Sequence, residues 1–149
     1  MRRFGEPVDP RRTYRDRTGA YAVIRDGDDV LLTEQAAPER EFQLPGGGVD
    51  PGEGLLTALH RECLEETGWR VCVLRRVGAF QRYAYLPDYD LWARKDCHVY
   101  LARPVRRVGP PAEAGHRAVW MPIATAIALV GNDGDRAFLA AERRARSSA

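Results

Sequence analysis

Apolar positions recur along the chain in short alternating runs, each bounded by turn-forming residues. Residues 19–25 (GAYAVIR) predict a strand, residues 26–29 a tight turn and residues 30–34 the returning strand of a hairpin. Residues 41–44 predict a short strand stopped at Pro45. Residues 44–54 hold seven Gly or Pro in eleven positions, which predicts a long loop with no regular structure. Good helix formers then fill residues 55–67, and Gly68 stands where a helix stop belongs. Beyond it, residues 71–80, 97–103 and 118–121 predict strands, and residues 123–130 and 134–145 predict helices separated by Gly-Asn-Asp. Residues 81–96 read as an aromatic, turn-rich segment and residues 104–115 as a loop with three Pro. Strands on both sides of one central helix, with helix at the end, predict a mixed α/β layer fold.

Residues 1–17 lack periodicity and predict an extended N-terminal arm, leaving residues 18–149 as one domain, the number expected for 149 residues. The content of 44% hydrophobic and 30% charged residues is that of a globular protein rather than a disordered one. No apolar run approaches the ~20 residues of a membrane helix, and the basic start is followed by no apolar stretch. The expectation is a chain neither embedded nor exported. Three cysteines, Cys63, Cys72 and Cys97, show neither CxxC spacing nor adjacent His pairs, so they predict free core thiols in a reducing, cytoplasmic setting.

The net charge of +2 conceals segregation: six Arg face three acids in residues 1–17, and four Arg face one acid in residues 136–146. Residues 18–135 are acidic, with 17 acidic against 13 basic residues. Positive charge confined to the ends argues against nucleic acid as the main partner, which would call for a basic patch interleaved with aromatics.

Glu62, Glu65 and Glu66 carry the strongest chemical signal. At ~100° per residue they share one helix face and repel one another. They also crowd the last turn and a half before Gly68, where the helix dipole disfavours anions. Local stability would place Lys or Arg there. A divalent cation would gather such a cluster, and oxygen-only donors select Mg2+ or Mn2+. Magnesium commonly shares its shell with phosphates, which points to a phosphate ester or anhydride. The spacing alone fits equally a solvated acidic face with Arg61 pairing Glu65. The glycines 46–48 allow close backbone approach, but neither a Walker lysine nor the third glycine of a dinucleotide fingerprint follows them.

Together, residues 47–69 resemble the signature of the Nudix hydrolase family (MutT-like pyrophosphohydrolases), Gly-x5-Glu-x7-Arg-Glu-U-x-Glu-Glu-x-Gly-U with U apolar. Gly47, Glu53, Arg61, Glu62, Glu65, Glu66 and Gly68 fill all seven fixed positions, and Pro45 and Gly46 supply the usual entrance. Cys63 and Trp69 stand where Ile, Leu or Val is commoner. The resemblance implies an α/β/α sandwich around a mixed sheet and metal-dependent hydrolysis of a nucleoside diphosphate linked to another moiety. A nucleotide sugar, dinucleoside polyphosphate, ADP-ribose or nucleoside triphosphate would serve as the small-molecule substrate. It further implies that Glu62, Glu65, Glu66 and the Gly46 carbonyl hold the metal, that Glu53 and Arg61 brace the loop, and that Glu65, Glu66 or Glu113 acts as base. Tyr83 and Tyr85 are candidates for stacking on a nucleobase. Tyr85 resembles a feature of diadenosine polyphosphate hydrolases, whereas Pro87 resembles one of ADP-ribose hydrolases. His60, His98 and His116 read as structural or surface residues. Two other readings stay open, a catalytically silent nucleotide-sensing module and an RNA 5′-pyrophosphohydrolase, as does a homodimer.

Overall fold

The computed structural model describes residues 1–36 and 39–148, with side chains to residue 145. The strands are β1 (Arg2–Gly5), β2 (Tyr14–Asp26), β3 (Asp29–Gln35), β4 (Glu41–Gln43), β5 (Gly46–Gly48), β6 (Trp69–Leu86), β7 (Leu91–Arg107) and β8 (His116–Pro122). The helices are α1 (Leu55–Thr67), α2 (Ile123–Leu129) and α3 (Asp133–Ser148). They form one mixed sheet in the order β1-β6-β7-β2-β3-β4, with β5 paired to β2 and β8 to β3. β2 and β7 run parallel, whereas β6 and β7 form a long antiparallel ribbon.

Side-chain alternation sends successive strand residues to opposite faces and so creates two cores. On one face Ala20, Ala22, Ile24 and Leu31 meet Leu59 and Cys63 of α1, with Tyr100 and Ala102 beside them. On the other, Val23, Val30, Leu32, Phe80 and Val99 meet Ile123 and Ala126 of α2 and Leu139 of α3. The result is the expected α/β/α sandwich around a mixed sheet.

Four expectations change. The glycine-rich loop contains a short strand after all. Gly46 can pair with β2 because a side chain there would begin 2.2 Å from the Ala20 carbonyl oxygen, a separation only glycine avoids. The predicted arm contributes β1, parallel to β6, with Phe4 set edge-on against Phe80 at 5.6 Å. Residues 81–96 are mostly strand, because the β6–β7 ribbon continues past the core, and only Pro87–Tyr89 turn the chain. Strand β7 likewise continues to Arg107 through Pro104. Proline is tolerated there because β2 stops pairing at Ala102, which leaves β7 an edge strand beside a bulge.

Helix α1 ends where the sequence predicts. Gly68 adopts φ 75° and its amide donates to the Leu64 carbonyl. A β-carbon there would begin 1.9 Å from the Gly109 carbonyl oxygen. Gly68→Ala therefore meets both backbone strain and a collision. Its expected cost exceeds ~1 kcal/mol, with ~2–4 °C of Tm per kcal/mol for a chain this size. An unchanged Tm in calorimetry contradicts this.

Candidate active site

The site lies where α1 crosses β5. Its first component is the brace. Arg61 donates from Nε and Nη2 to the two Glu53 carboxylate oxygens, both at 2.8 Å, and from Nη2 to the Gly48 carbonyl at 3.0 Å. Its Nη1 reaches Glu62 at 3.0 Å and Glu65 at 3.3 Å. Glu53 also accepts from the Asp50 amide at 3.0 Å, and these bonds hold its carboxyl down at about 2. One planar guanidinium thus ties the loop to the helix and offsets part of the repulsion among the helix acids.

The second component is a buried carboxylate. Glu66 is 8% exposed. Among the described residues its hydrogen-bond partner is the Gly46 amide, which donates at 3.4 Å. Burial, with the charges of Glu62 and Glu113 beside it, pushes its carboxyl up to about 9. Burial also raises Glu62, against the pull of Arg61. Gly47 makes room for that side chain, since a β-carbon would begin 2.5 Å from the Glu62 carboxyl carbon.

The third component arrives from the loop before β8. The amides of Ala112 and Glu113 donate to the Glu65 carbonyl at 2.8 and 3.2 Å, satisfying a helix-end acceptor and docking this loop on α1. Carboxylate oxygens of Glu62, Glu65 and Glu113 then lie within 4.8 Å of one another, close enough to share a cation. Glu66, Glu113 and His116 form a second such group, with His116 Nε2 3.2 Å from Glu113. His116 Nδ1 is buried without a hydrogen-bond partner among the described residues. The sequence predicts a structural or surface role for His116; three residues after Glu113, at the mouth of β8, it joins the acidic cluster.

Loop and sheet are also tied from behind. Asp135 of α3 is buried and accepts the Leu44 amide at 3.1 Å, just before the Pro-Gly-Gly entrance. Lys95, the single lysine, sits 5.6 Å from the Tyr21 ring centroid, and its charge works against the rise at Glu66. Neither Lys95 nor Asp135 stood out in the sequence, because no local spacing links them to residues 46–66.

Tyr83 and Tyr85 lie farther off. Gly47 pairs with Ala20, whereas Tyr83 shares a row with Arg94 and Asp16, and Tyr85 with Trp92 and Tyr14. At ~3.3 Å per residue these rows are about 13 and 20 Å along β2 from Ala20. Their rings pack with Tyr14 and Trp92, and the Tyr85 hydroxyl donates to Asp90.

Comparison with known proteins agrees with this anatomy. A Bacillus subtilis protein provisionally named an 8-oxo-dGTP diphosphatase is 32% identical over 74 residues, covering 50% of each chain. An RNA pyrophosphohydrolase of Helicobacter pylori is 50% identical over 57 residues, covering 35% of this chain and 37% of that one. The matched stretches therefore span half or less of these relatives. A solved Nudix hydrolase of Nitrosomonas europaea superposes with a TM-score of 0.72 at 20% identity, over 88% of this chain and 90% of that one, which establishes the shared fold. Residues 13–141 match the family model described as the NUDIX domain, and the chain belongs to the Nudix family.

Proposed function

We propose that the chain is a divalent-cation-dependent hydrolase of the diphosphate linkage in a small nucleotide, a nucleoside triphosphate or a nucleoside diphosphate conjugate. The observation that carries this reading is the convergence of Glu62, Glu65 and Glu113 within 4.8 Å, with Glu66 buried behind them. A buried carboxylate held at about 9, with two more acids beside it, is a site short of positive charge. The residues therefore fit a hard cation, with Glu62, Glu65 and Glu66 as holders and the Gly46 carbonyl as a further donor. Oxygen donors favour Mg2+ or Mn2+. When bound, such a cation supplies neutralisation of phosphate charge and activation of water.

The protein's own groups do the rest. Arg61 keeps the carboxylates oriented through its five hydrogen bonds. Glu113 lies on a loop docked to the helix end, its carboxylate beside those of Glu62 and Glu65, and serves as the base; Glu65 and Glu66 are spoken for by the cation. His116, 3.2 Å from Glu113, orients that carboxylate. Tyr83 and Tyr85 share the sheet face that carries α1, so a substrate long enough to reach them places its base against the aromatic cluster. The names of the two relatives, one acting on an oxidised nucleoside triphosphate and one on RNA, support the reaction class rather than one substrate.

The test is turnover of a panel of nucleoside triphosphates, nucleotide sugars, dinucleoside polyphosphates and ADP-ribose with Mg2+ or Mn2+, with products identified. Glu65→Gln and Glu66→Gln are expected to lose at least ~10²-fold in kcat while staying folded, and Glu113→Gln to lose ~10²–10⁴-fold. Full activity in the Glu65 and Glu66 variants defeats the metal assignment. Ligand binding by calorimetry with no product would favour the silent sensor instead.

A second prediction concerns stability without metal. Glu66 ionises in the ordinary carboxylate range when unfolded and near 9 when folded, so unfolding at neutral pH releases its proton. The metal-free protein should therefore lose stability as pH rises from about 4.5 towards 9. Glu66→Gln removes that slope, and its Tm advantage over wild type should grow with pH across the window. A Tm difference independent of pH contradicts the assignment.

A further inference from the structure

The end of the β6–β7 ribbon nearest α1 carries a charge pattern that hydrolysis does not use. Residues 69–76 and 101–107 contain Arg70, Arg75, Arg76, Arg103, Arg106 and Arg107 and not one Asp or Glu. All six are exposed. The register sets Arg70 directly opposite Arg106, Arg103 opposite Cys72 and Arg75 opposite Leu101. Trp69 turns its ring into the α1-side core against Trp120, so Arg70 and its partner Arg106 project from the other face. Arg103 follows on that face, as does Arg75, which binds both Glu142 oxygens on α3 at 2.9 and 3.1 Å.

Like charges directly opposite in an antiparallel pair oppose folding, and a guanidinium cannot shed its charge. Among the described residues Arg70, Arg103 and Arg106 have no ion pair or side-chain hydrogen bond. The nearby acid, Glu142, is already held by Arg75, and its carbonyl accepts from Arg25 at 2.7 Å. At the far end of the strip a cleft of about 380 Å³ opens between Arg25, Arg75 and Arg103 over Leu74 and Leu101, with the Arg75-bound Glu142 in its wall. That volume falls within the range of small-ligand sites.

The strip begins two residues after the Gly68 helix stop, and β7 ends six residues before Glu113. From Arg70 to Arg75 it runs about 16 Å at ~3.3 Å per residue. A row of cations that long suits regularly spaced negative charges better than one compact anion. We propose that this face binds the phosphate backbone of a single-stranded polynucleotide, with the cleft accepting one nucleotide. This goes beyond the hydrolase reading, since binding here needs neither a diphosphate nor a metal. No aromatic side chain lies on the strip, so the contacts are to the backbone and indifferent to base sequence.

The experiment is fluorescence anisotropy with labelled oligouridylate and oligothymidylate of about 12 nucleotides, both ending in a 5′-hydroxyl, without divalent metal. Three neutralised phosphates give a log–log salt slope near −2, so affinity should fall about 100-fold between about 50 and 500 mM KCl. Both strands are expected to bind; preference for one identifies the source of the backbone and supports the site. The triple variant Arg70→Gln, Arg103→Gln, Arg106→Gln should bind at least tenfold more weakly with a flattened slope. Its Tm should be unchanged or higher, and its hydrolysis of a mononucleotide should be unaltered. Arg2→Gln with Arg3→Gln should leave strand binding intact. Absence of binding at the low salt concentration, or undiminished binding by the triple variant, overturns the proposal. Because the probe holds no cleavable diphosphate, neither result bears on the hydrolase reading.

Discussion

A carboxylate taken out of water is the constraint on which this molecule turns. Glu66 lies in the last turn of α1, buried between the helix and the glycine strand, and its acidity is displaced to about 9. None of Arg61's hydrogen bonds goes to it; they serve Glu53, Glu62, Glu65 and the Gly48 carbonyl. The protein compensates the outer acids and leaves the inner one short of a counter-charge. That imbalance costs stability in the isolated chain and creates a place where a dication is favoured.

Holding the arrangement requires both faces of the sheet. From the α3 side, Asp135 fixes the Leu44 amide and hence the path of the chain into Gly46. From the α1 side, the Glu65 carbonyl captures the amides of Ala112 and Glu113, which brings the fourth acid beside the other three. Glycines make the approach feasible rather than merely flexible. At Gly46 and Gly47 any side chain would overlap, respectively, the β2 backbone and the Glu62 carboxylate. The same logic governs Gly68, which stops the helix and lets the Gly109 carbonyl pass close by.

Local spacing made the helix, its stop and the acidic face legible before any coordinates, because residues 47–69 write their geometry into consecutive positions. What stayed hidden depends on pairings between distant segments. The β5 strand is too short and too glycine-rich to show a period, and it exists because β2 offers a partner. The outer β6–β7 ribbon mixes aromatic, small and charged residues beyond the core (Gln-Arg-Tyr-Ala-Tyr-Leu, then Leu-Trp-Ala-Arg-Lys-Asp) around a Pro-Asp turn, so the clean apolar period that marks a half-buried strand is missing there. His116 enters the site only because β8 pairs with β3 and begins at that residue. Tyr83 and Tyr85 stand out in the sequence as aromatics shortly after the signature of residues 47–69. Register spreads them about 13 and 20 Å away from the glycine strand, into a cluster with Tyr14 and Trp92.

Charge is segregated in space more sharply than along the chain. The acids gather at the α1 end around β5, whereas the ribbon segments 69–76 and 101–107 hold arginine without a single acid. An approaching polyanion is repelled by the bare carboxylates and attracted by the ribbon, so the two regions impose an orientation on it before contact. A cation held at the carboxylates would offset part of that negative charge and weaken the repulsion there. The ribbon guanidiniums hold their charge with or without the ion, since no accessible pH discharges them. Metal occupancy would therefore shift the balance between the two regions for an anionic ligand, with the ribbon's share unchanged.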